Sequence, residues 1–360
     1  MSSIQSLKDK KQLILVSIIS FILWIPLVFI PIVTVIVYES IFSFRYETLP
    51  WLEYSVSDFD GLKVERSDFE SDGITLAGYK YSKENTDSKG LVILAHGLGG
   101  GGHNTYMPFI YEFTSNGYSV FTYDARGNDE SGGRSVGGLP QGVIDLDSAI
   151  RHTKEIDEYK GFPIFLFGHS WGAYSSATVL NIHPDIKAAV IIAGFNESED
   201  MMKYQSEKIL GEGLVSVLFS YVELYEELKF GKEFTEITAI EGMKNSDAGV
   251  LIVHSKNDAT VPTKYGYDAF YSEFSEFERF EFVLYDDRGH DYLFYSESAW
   301  EYREQLNADY TTYVEAHGGE YNAEIKEEFM DKYLDKSKCF EPDPELMAEI
   351  FALYEKYTRE

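Results

Sequence analysis

One cysteine, Cys339, is all that 360 residues contain. An intrachain disulfide is therefore excluded, and so is a metal site built on thiolates. Positive charge is scarce as well: 31 Lys and Arg stand against 60 Asp and Glu, for a net charge of -29. A chain this acidic is unsuited to nucleic acid and to peripheral adhesion on anionic lipid, where clustered bases supply the attraction. The acidic surplus reads as a solubilising surface rather than as a site for one cationic partner. Internal repeats and low-complexity linkers are absent too. The length suffices for a sizeable core, and the simplest organisation is one large domain with appendages. Export without disulfides is common where a cell has a single membrane, so the cysteine count leaves the compartment open.

Charge vanishes altogether over residues 12–38, a run of 27 dominated by Leu, Ile, Val and Phe. As a helix this run measures about 40 Å, enough to cross a bilayer with some tilt. Pro26 and Pro31 would weaken a soluble helix but are tolerated in lipid. A cleavable signal sequence would have an apolar core of roughly 7–15 residues and a small-x-small cleavage site, and neither fits well here. Lys8, Lys10 and Lys11 precede the run, and Arg45 is the nearest base after it. The positive-inside rule then puts the N-terminus in the cytoplasm. Residues 1–45 are expected to be a cytoplasmic tip and a single-pass anchor, crossing a cell membrane through residues 12–38. Residues 46–360 are expected to form an extracytoplasmic domain, in a bacterial setting.

Past the aromatic, irregular stretch 39–61, which has the choice of the membrane surface or the domain as a packing partner, short apolar runs alternate with helical patterns. Segments 62–69 and 74–81 read as an antiparallel hairpin turned at Ser71-Asp72-Gly73. Apolar runs at Leu91–Ala95, 118–123, 164–167, 188–193, 249–254 and Phe280–Tyr285 read as further strands. Helices are expected from about Tyr106, over 141–159 and over 173–180. The alternation predicts an α/β domain: a mostly parallel eight-stranded sheet with helices on both faces. Two segments break the rhythm. Residues 195–248 carry amphipathic helical patterns, notably over 214–228, and read as a helical lid inserted above the sheet edge. Beyond residue 292 the chain is too long for one closing helix, and extra helices are expected over about 298–358.

The run Gly97-Leu98-Gly99-Gly100-Gly101-Gly102 follows a strand and satisfies G-x-G-x-x-G, with Asp124 at the end of the next strand. A dinucleotide site must be weighed on that pattern. It leaves His96, Asp258 and His290 without a purpose. A phosphate-binding P-loop is excluded, because His103 stands where lysine is needed. His96 and His103 have no third ligand at a sensible spacing, so neither a metal nor a cofactor is expected.

A second pattern uses those residues. Gly168-His169-Ser170-Trp171-Gly172 is a G-x-S-x-G between an apolar strand and a small-residue helix. A turn that sharp strains its central residue, and side chains at Gly168 or Gly172 would strike the neighbouring strand and helix. The serine hydroxyl is pushed above the sheet edge, in front of a helix N-terminus. Serine needs a base to take its proton, and the imidazolium so formed needs an acid to orient it. Downstream, Ser255-Lys256-Asn257-Asp258-Ala259-Thr260-Val261-Pro262 and Arg288-Gly289-His290 follow the ends of two strands. Asp258 and His290 thus sit on loops at the carboxyl ends of strands, as Ser170 does. The alternatives are a cap for the helix after Pro262 and an ordinary surface-loop histidine.

With H-G-L-G-G at 96–100 and D-A-R-G at 124–127, these motifs make residues 62–290 resemble the α/β-hydrolase superfamily. The likeness is to the branch holding monoacylglycerol lipase-like enzymes and serine aminopeptidases. The resemblance implies Ser170 as nucleophile, Asp258 as acid and His290 as base, with the backbone N–H groups of Leu98 and Trp171 as the oxyanion hole. It implies a structural role for Asp124 and Arg126. Asn128-Asp129-Glu130-Ser131 departs from a more glycine-rich continuation, and the tail after His290 is unusually long. The expected activity is hydrolysis of a small-molecule ester or acyl substrate through an acyl-enzyme. Two alternatives stand beside it. One is an aminopeptidase or amidase with Glu197, Glu199 or Asp200 receiving the free amine, and the other is a non-catalytic binding protein. Chain length and oligomeric state are not encoded in any motif.

Overall fold

A strand covered on both faces needs an apolar side chain at nearly every position, and the central runs of this chain meet that requirement. The computed structural model describes residues 2–83 and 88–358, with side chains from Lys10 onward. The side chain of Lys8 and the outer limits of the expected units, Met1 and Glu360, fall outside what the structure describes. Among the described residues ten strands form: β1 Leu62–Arg66, β2 Phe69–Ser71, β3 Ile74–Leu76, β4 Gly78–Lys83, β5 Leu91–Ala95, β6 Ser119–Tyr123, β7 Ile164–His169, β8 Ala188–Ile192, β9 Gly249–Ser255 and β10 Phe280–Tyr285. Every residue of β5, β6, β8 and β9 is buried.

Eight of these strands make one sheet in the order β1-β4-β6-β5-β7-β8-β9-β10. It is parallel from β6 to β10 and antiparallel at β1–β4 and β4–β6. The expected hairpin is split in two. Strands β2 and β3 form a separate ribbon turned at Asp72 and Gly73, which have φ of 44° and 69°. Strand β1 instead pairs with β4 in the main sheet. The break falls where the Ser67 N–H donates to the Gly78 carbonyl at 2.8 Å, an approach so close that a Cβ on Gly78 would lie 2.2 Å from the Ser67 oxygen.

The N-terminal helix runs as α1 Ser2–Trp24, a π-helical turn Ile25–Phe29 and α2 Ile30–Ile41. Pro26 and Pro31 lack the N–H that an α-helical ladder needs, and the wide turn contains Pro26 and ends two residues before Pro31. Residues Lys10–Ile41 are long and apolar enough to cross a membrane, with mean hydropathy 2.9 over their most apolar window. The end of α2 is different in kind, since Thr34 and Tyr38 are buried by protein.

Helices α3 Met107–Ser115, α4 Gln141–Glu155 and α5 Trp171–Thr178 follow within the sheet domain. Helix α4 stops at Glu155, four residues short of expectation. The inserted lid comprises α6 Ser198–Leu210, α7 Glu212–Phe230, α8 Lys232–Thr235 and α9 Ala239–Asn245. After β9 comes α10 Tyr267–Phe274, and after β10 the extension α11 Glu297–Ala316, α12 Ala323–Tyr333, α13 Lys336–Cys339 and α14 Pro344–Thr358. One face of the sheet is covered by α4, α5 and α10, with Val143, Ala173 and Phe270 in its core. The other face is covered by α3 and α14, with Phe109, Phe113, Ile350 and Tyr354 fully buried. The loops at the carboxyl ends of β5, β7, β9 and β10 converge, and the candidate site lies there.

Candidate active site

Ser170 sits between β7 and α5 with φ 54° and ψ -114°, a region a side chain adopts only when its surroundings enforce it. Its N–H donates to the Ile192 carbonyl at 2.8 Å. The two glycines leave the room that the spacing predicted. A Cβ on Gly168 would lie 2.4 Å from the Gly172 oxygen at the start of α5, and one on Gly172 would lie 2.0 Å from the Ala95 oxygen of β5.

The three residues that the sequence singles out meet here. His290 Nε2 is 2.9 Å from Ser170 Oγ, and His290 Nδ1 is 2.7 Å from Asp258 Oδ2. The other Asp258 oxygen accepts the N–H groups of Thr260 and Val261, each at 2.8 Å. Burial alone would raise the Asp258 pKa. Its hydrogen bond to His290, the charge of that ring and the Val261 N–H outweigh burial and hold the carboxylate below its usual range. The loop bearing His290 is braced from β9. Ser255 Oγ accepts the Arg288 N–H at 3.0 Å, and Asn257 Oδ1 accepts the Gly289 N–H at 2.7 Å. These two residues of the S-K-N-D segment were not among the sequence candidates, although the segment itself was.

His169, the variable residue of the G-x-S-x-G, was also missed. Its Nε2–H donates to the His290 carbonyl at 3.2 Å, so Nδ1 is the acceptor for the Tyr106 hydroxyl at 2.9 Å. Burial, then the nearby His290, pushes the His169 pKa down to about 4, in keeping with a neutral ring. The Tyr106 oxygen in turn accepts the Gly97 N–H at 3.1 Å. The same network thus ties the glycine loop to the His290 loop. Among the described residues neither the Leu98 nor the Trp171 amide meets a protein acceptor, and both residues line the cavity that holds Ser170.

The pattern that suggested a dinucleotide is otherwise employed. His96 Nδ1–H donates to the Gly97 carbonyl and its Nε2 accepts the Ala125 N–H, at 2.7 and 2.9 Å. Asp124 is buried and accepts both the backbone N–H and Nδ1–H of His103. His169, His290 and Asp291 bring ligand atoms within 4.8 Å of one another, yet all four ring nitrogens are already engaged as described. Asp129, in the segment that departs from the family pattern, docks the chain that follows the N-terminal helix. It accepts from Thr48 N and Oγ1 at 2.6 Å and from Gly102 N at 2.8 Å. Arg45 adds hydrogen bonds to the carbonyls of Asp129, Ser131 and Gly133. The aromatic stretch after the apolar helix therefore packs on the domain.

Ser170 opens into a cavity of about 800 Å³. Its walls come from three places: Phe42, Leu49 and Trp51 after the N-terminal helix, Met201 and Ile209 on the lid, and Arg303, Lys326 and Met330 on the C-terminal extension. Glu197 and Glu199, two of the acids weighed for an amine substrate, line a separate cavity of about 260 Å³ beneath the lid. Asp200 is exposed and lines neither.

Residues 86–248 match the family model described as serine aminopeptidase, S33. The chain is 30% identical over 127 residues to caffeoylshikimate esterase of Arabidopsis thaliana, covering 35% of this chain and 38% of that protein. It is 31% identical over 133 residues to monoglyceride lipase of Saccharomyces cerevisiae, covering 35% and 37%. The chain spans half or less of the length of the curated relatives it matches. An esterase structure from Pyrococcus furiosus superposes with a TM-score of 0.53 at 16% identity, over 76% of this chain and 98% of that one, a likeness of fold. The parallel sheet, the strained serine turn and these matches together give the chain the α/β-hydrolase fold.

Proposed function

We propose that this protein is a membrane-anchored serine hydrolase that cleaves a carboxylic ester. The observation that carries the reading is the hydrogen-bonded line from Ser170 Oγ through His290 to Asp258, beside two amides without acceptors. In the first step His290 Nε2 takes the Ser170 proton while Oγ attacks the ester carbonyl carbon. Asp258 holds the ring in the tautomer that presents Nε2 and stabilises the imidazolium. The carbonyl oxygen becomes an oxyanion and is met by the Leu98 and Trp171 N–H groups. As the intermediate collapses, the carbon–oxygen bond to the alcohol breaks and His290 returns its proton to the leaving alkoxide. Water, deprotonated by the same ring, then attacks the acyl-enzyme and releases the acid.

An ester is favoured over an aminoacyl amide by the acids of the lid. Glu197 and Glu199 open onto another cavity, and Asp291 is the one carboxylate among the described residues lining the cavity of Ser170. Residues Lys10–Ile41 serve as the anchor in this reading, with the domain on the outer side by the rule of flanking bases. The test uses the full-length protein in nonionic detergent, with short- and long-chain esters beside aminoacyl amides, and with a fluorophosphonate. Ester turnover and covalent labelling, both lost in Ser170→Ala, are expected. Faster cleavage of the amides would move the assignment to a peptidase. Folded protein that neither labels nor turns over any substrate would leave a binding protein on this fold.

A further inference from the structure

In a chain with 60 acids against 31 bases, a cation without a carboxylate partner is conspicuous. Arg303 of α11 is such a cation, and it borders the cavity that holds Ser170 and His290. Its guanidinium carbon lies 4.6, 4.4 and 4.6 Å from the ring centres of Tyr292, Tyr295 and Phe340. Nε donates to Cys339 Sγ at 3.2 Å. Nη1 is buried with no acceptor, and no carboxylate among the described residues reaches ion-pair distance. Burial pushes the Cys339 thiol up, so the sulfur stays neutral and offers no countercharge. Lys326 of α12 borders the same cavity and also forms no ion pair among the described residues. Asp291, the one acid among the described residues lining that cavity, sits beside His169 and His290.

Aromatic rings this near keep a guanidinium charged in a dry place, but they leave Nη1 without an acceptor. A buried donor left unpaired favours whatever ligand can pair it, and oxyanions do so best. From this geometry we infer that Arg303 with Lys326 forms an anion subsite of the cavity. The ester hydrolysed at Ser170 then carries a carboxylate or phosphate away from its scissile bond. The inference about the substrate rests on the hydrolase reading above, whereas the subsite itself is open to a binding measurement.

The experiment titrates full-length Ser170→Ala protein in nonionic detergent with n-hexyl phosphate, hexanoate and hexanol by calorimetry. At least one anion should bind tenfold or more tightly than hexanol, weakening as salt is raised. Arg303→Gln should erase that preference, Arg303→Lys should restore part of it, and Lys326→Gln should reduce it. Phosphate ahead of carboxylate, or the reverse, identifies the group. With Ser170 intact, the kcat/KM ratio of 4-nitrophenyl hemisuccinate to 4-nitrophenyl butyrate should fall at least tenfold from wild type to Arg303→Gln. Equal binding of hexanol and both anions, or a preference surviving the double replacement Arg303→Gln with Lys326→Gln, overturns the subsite. If Arg303→Gln does not fold, the salt dependence and Lys326→Gln decide. Tight anion binding in protein that hydrolyses no ester would sink the hydrolase reading and keep the subsite.

Discussion

The Tyr38 hydroxyl donates to the Glu226 side chain at 2.7 Å, joining the last turns of the apolar N-terminal helix to the middle of the lid. Next to it Glu39 accepts from Tyr225 at 2.6 Å and from Lys229. Burial raises the Glu226 pKa to about 7, with Glu199 adding to the effect and Tyr38 and Lys229 opposing it. The folded state therefore prefers the neutral carboxyl. Its full contribution to stability is present below the ordinary value of 4.5 and is lost as pH rises through about 7.

Glu226→Gln should consequently stabilise the protein above pH 7, by on the order of 2 kcal/mol. Near pH 4.5 the variant and wild type should melt together. Thermal denaturation across pH 4.5–8 checks this, and a melting difference that shrinks with rising pH would contradict it. Glu199, also raised to about 7 by partial burial and by Glu223, leaves some pH dependence in the variant.

Ser170→Ala and His290→Ala should each abolish turnover, and Ser170→Ala should leave the melting temperature nearly unchanged. Asp258→Asn should retain a trace of rate, with a loss of about 10⁴ as in a comparable triad. Asp286, Asp287 and Asp291 are the internal controls in kinetic assays. Full activity in Asp258→Asn, with loss on replacing one of those three, would reassign the acid.

Tyr106→Phe keeps the ring and removes the hydroxyl between Gly97 and His169. It should cost about 1–3 kcal/mol of stability by leaving a buried donor and acceptor unpaired. The His290 loop loses its brace through His169, so kcat should fall by about tenfold while Ser170 still labels with fluorophosphonate. Unaltered melting and kcat would show that the relay carries nothing.

External protease added to intact cells without an outer membrane, or to spheroplasts, should reach the domain if the basic flank is cytoplasmic. Complete protection until lysis would reverse the orientation. A mature chain beginning after Tyr38 would show instead that the segment is a cleaved signal, and would strip Tyr38 from Glu226.

Most of the sheet was legible in sequence because fully buried strands must be apolar throughout, as at Leu91–Ala95. The serine turn was legible because close backbone approach admits only glycine at positions 168 and 172. The lid was harder. Leu214, Val217, Leu218 and Tyr221 recur at helical spacing, but Leu214 and Val217 are 49% and 51% exposed while Val215, Leu218 and Phe219 face inward. With apolar residues on both faces of α7, helical period alone does not choose the buried one. Nor did any local pattern pair Tyr38 with Glu226, 188 residues apart, or mark Asp129 as the dock for Thr48. Such contacts are set by the folded sheet edge and not by neighbours in the chain.

The family match ends at residue 248, and that limit divides the cavity. Ser170 and the glycine loop fall within the matched span, while Phe42, Leu49 and Trp51 precede it and Arg303, Lys326 and Met330 follow it. During synthesis the serine turn is made long before the last wall of the chamber leaves the ribosome. The division also sorts mutations by type. Changes to the first fifty-one or last sixty residues are expected to re-cut the chamber while Ser170, Asp258 and His290 keep their places. Exchanging residues 1–51 and 301–360 with a relative's should carry selectivity with them, and Ser170, Asp258 and His290 would stay behind.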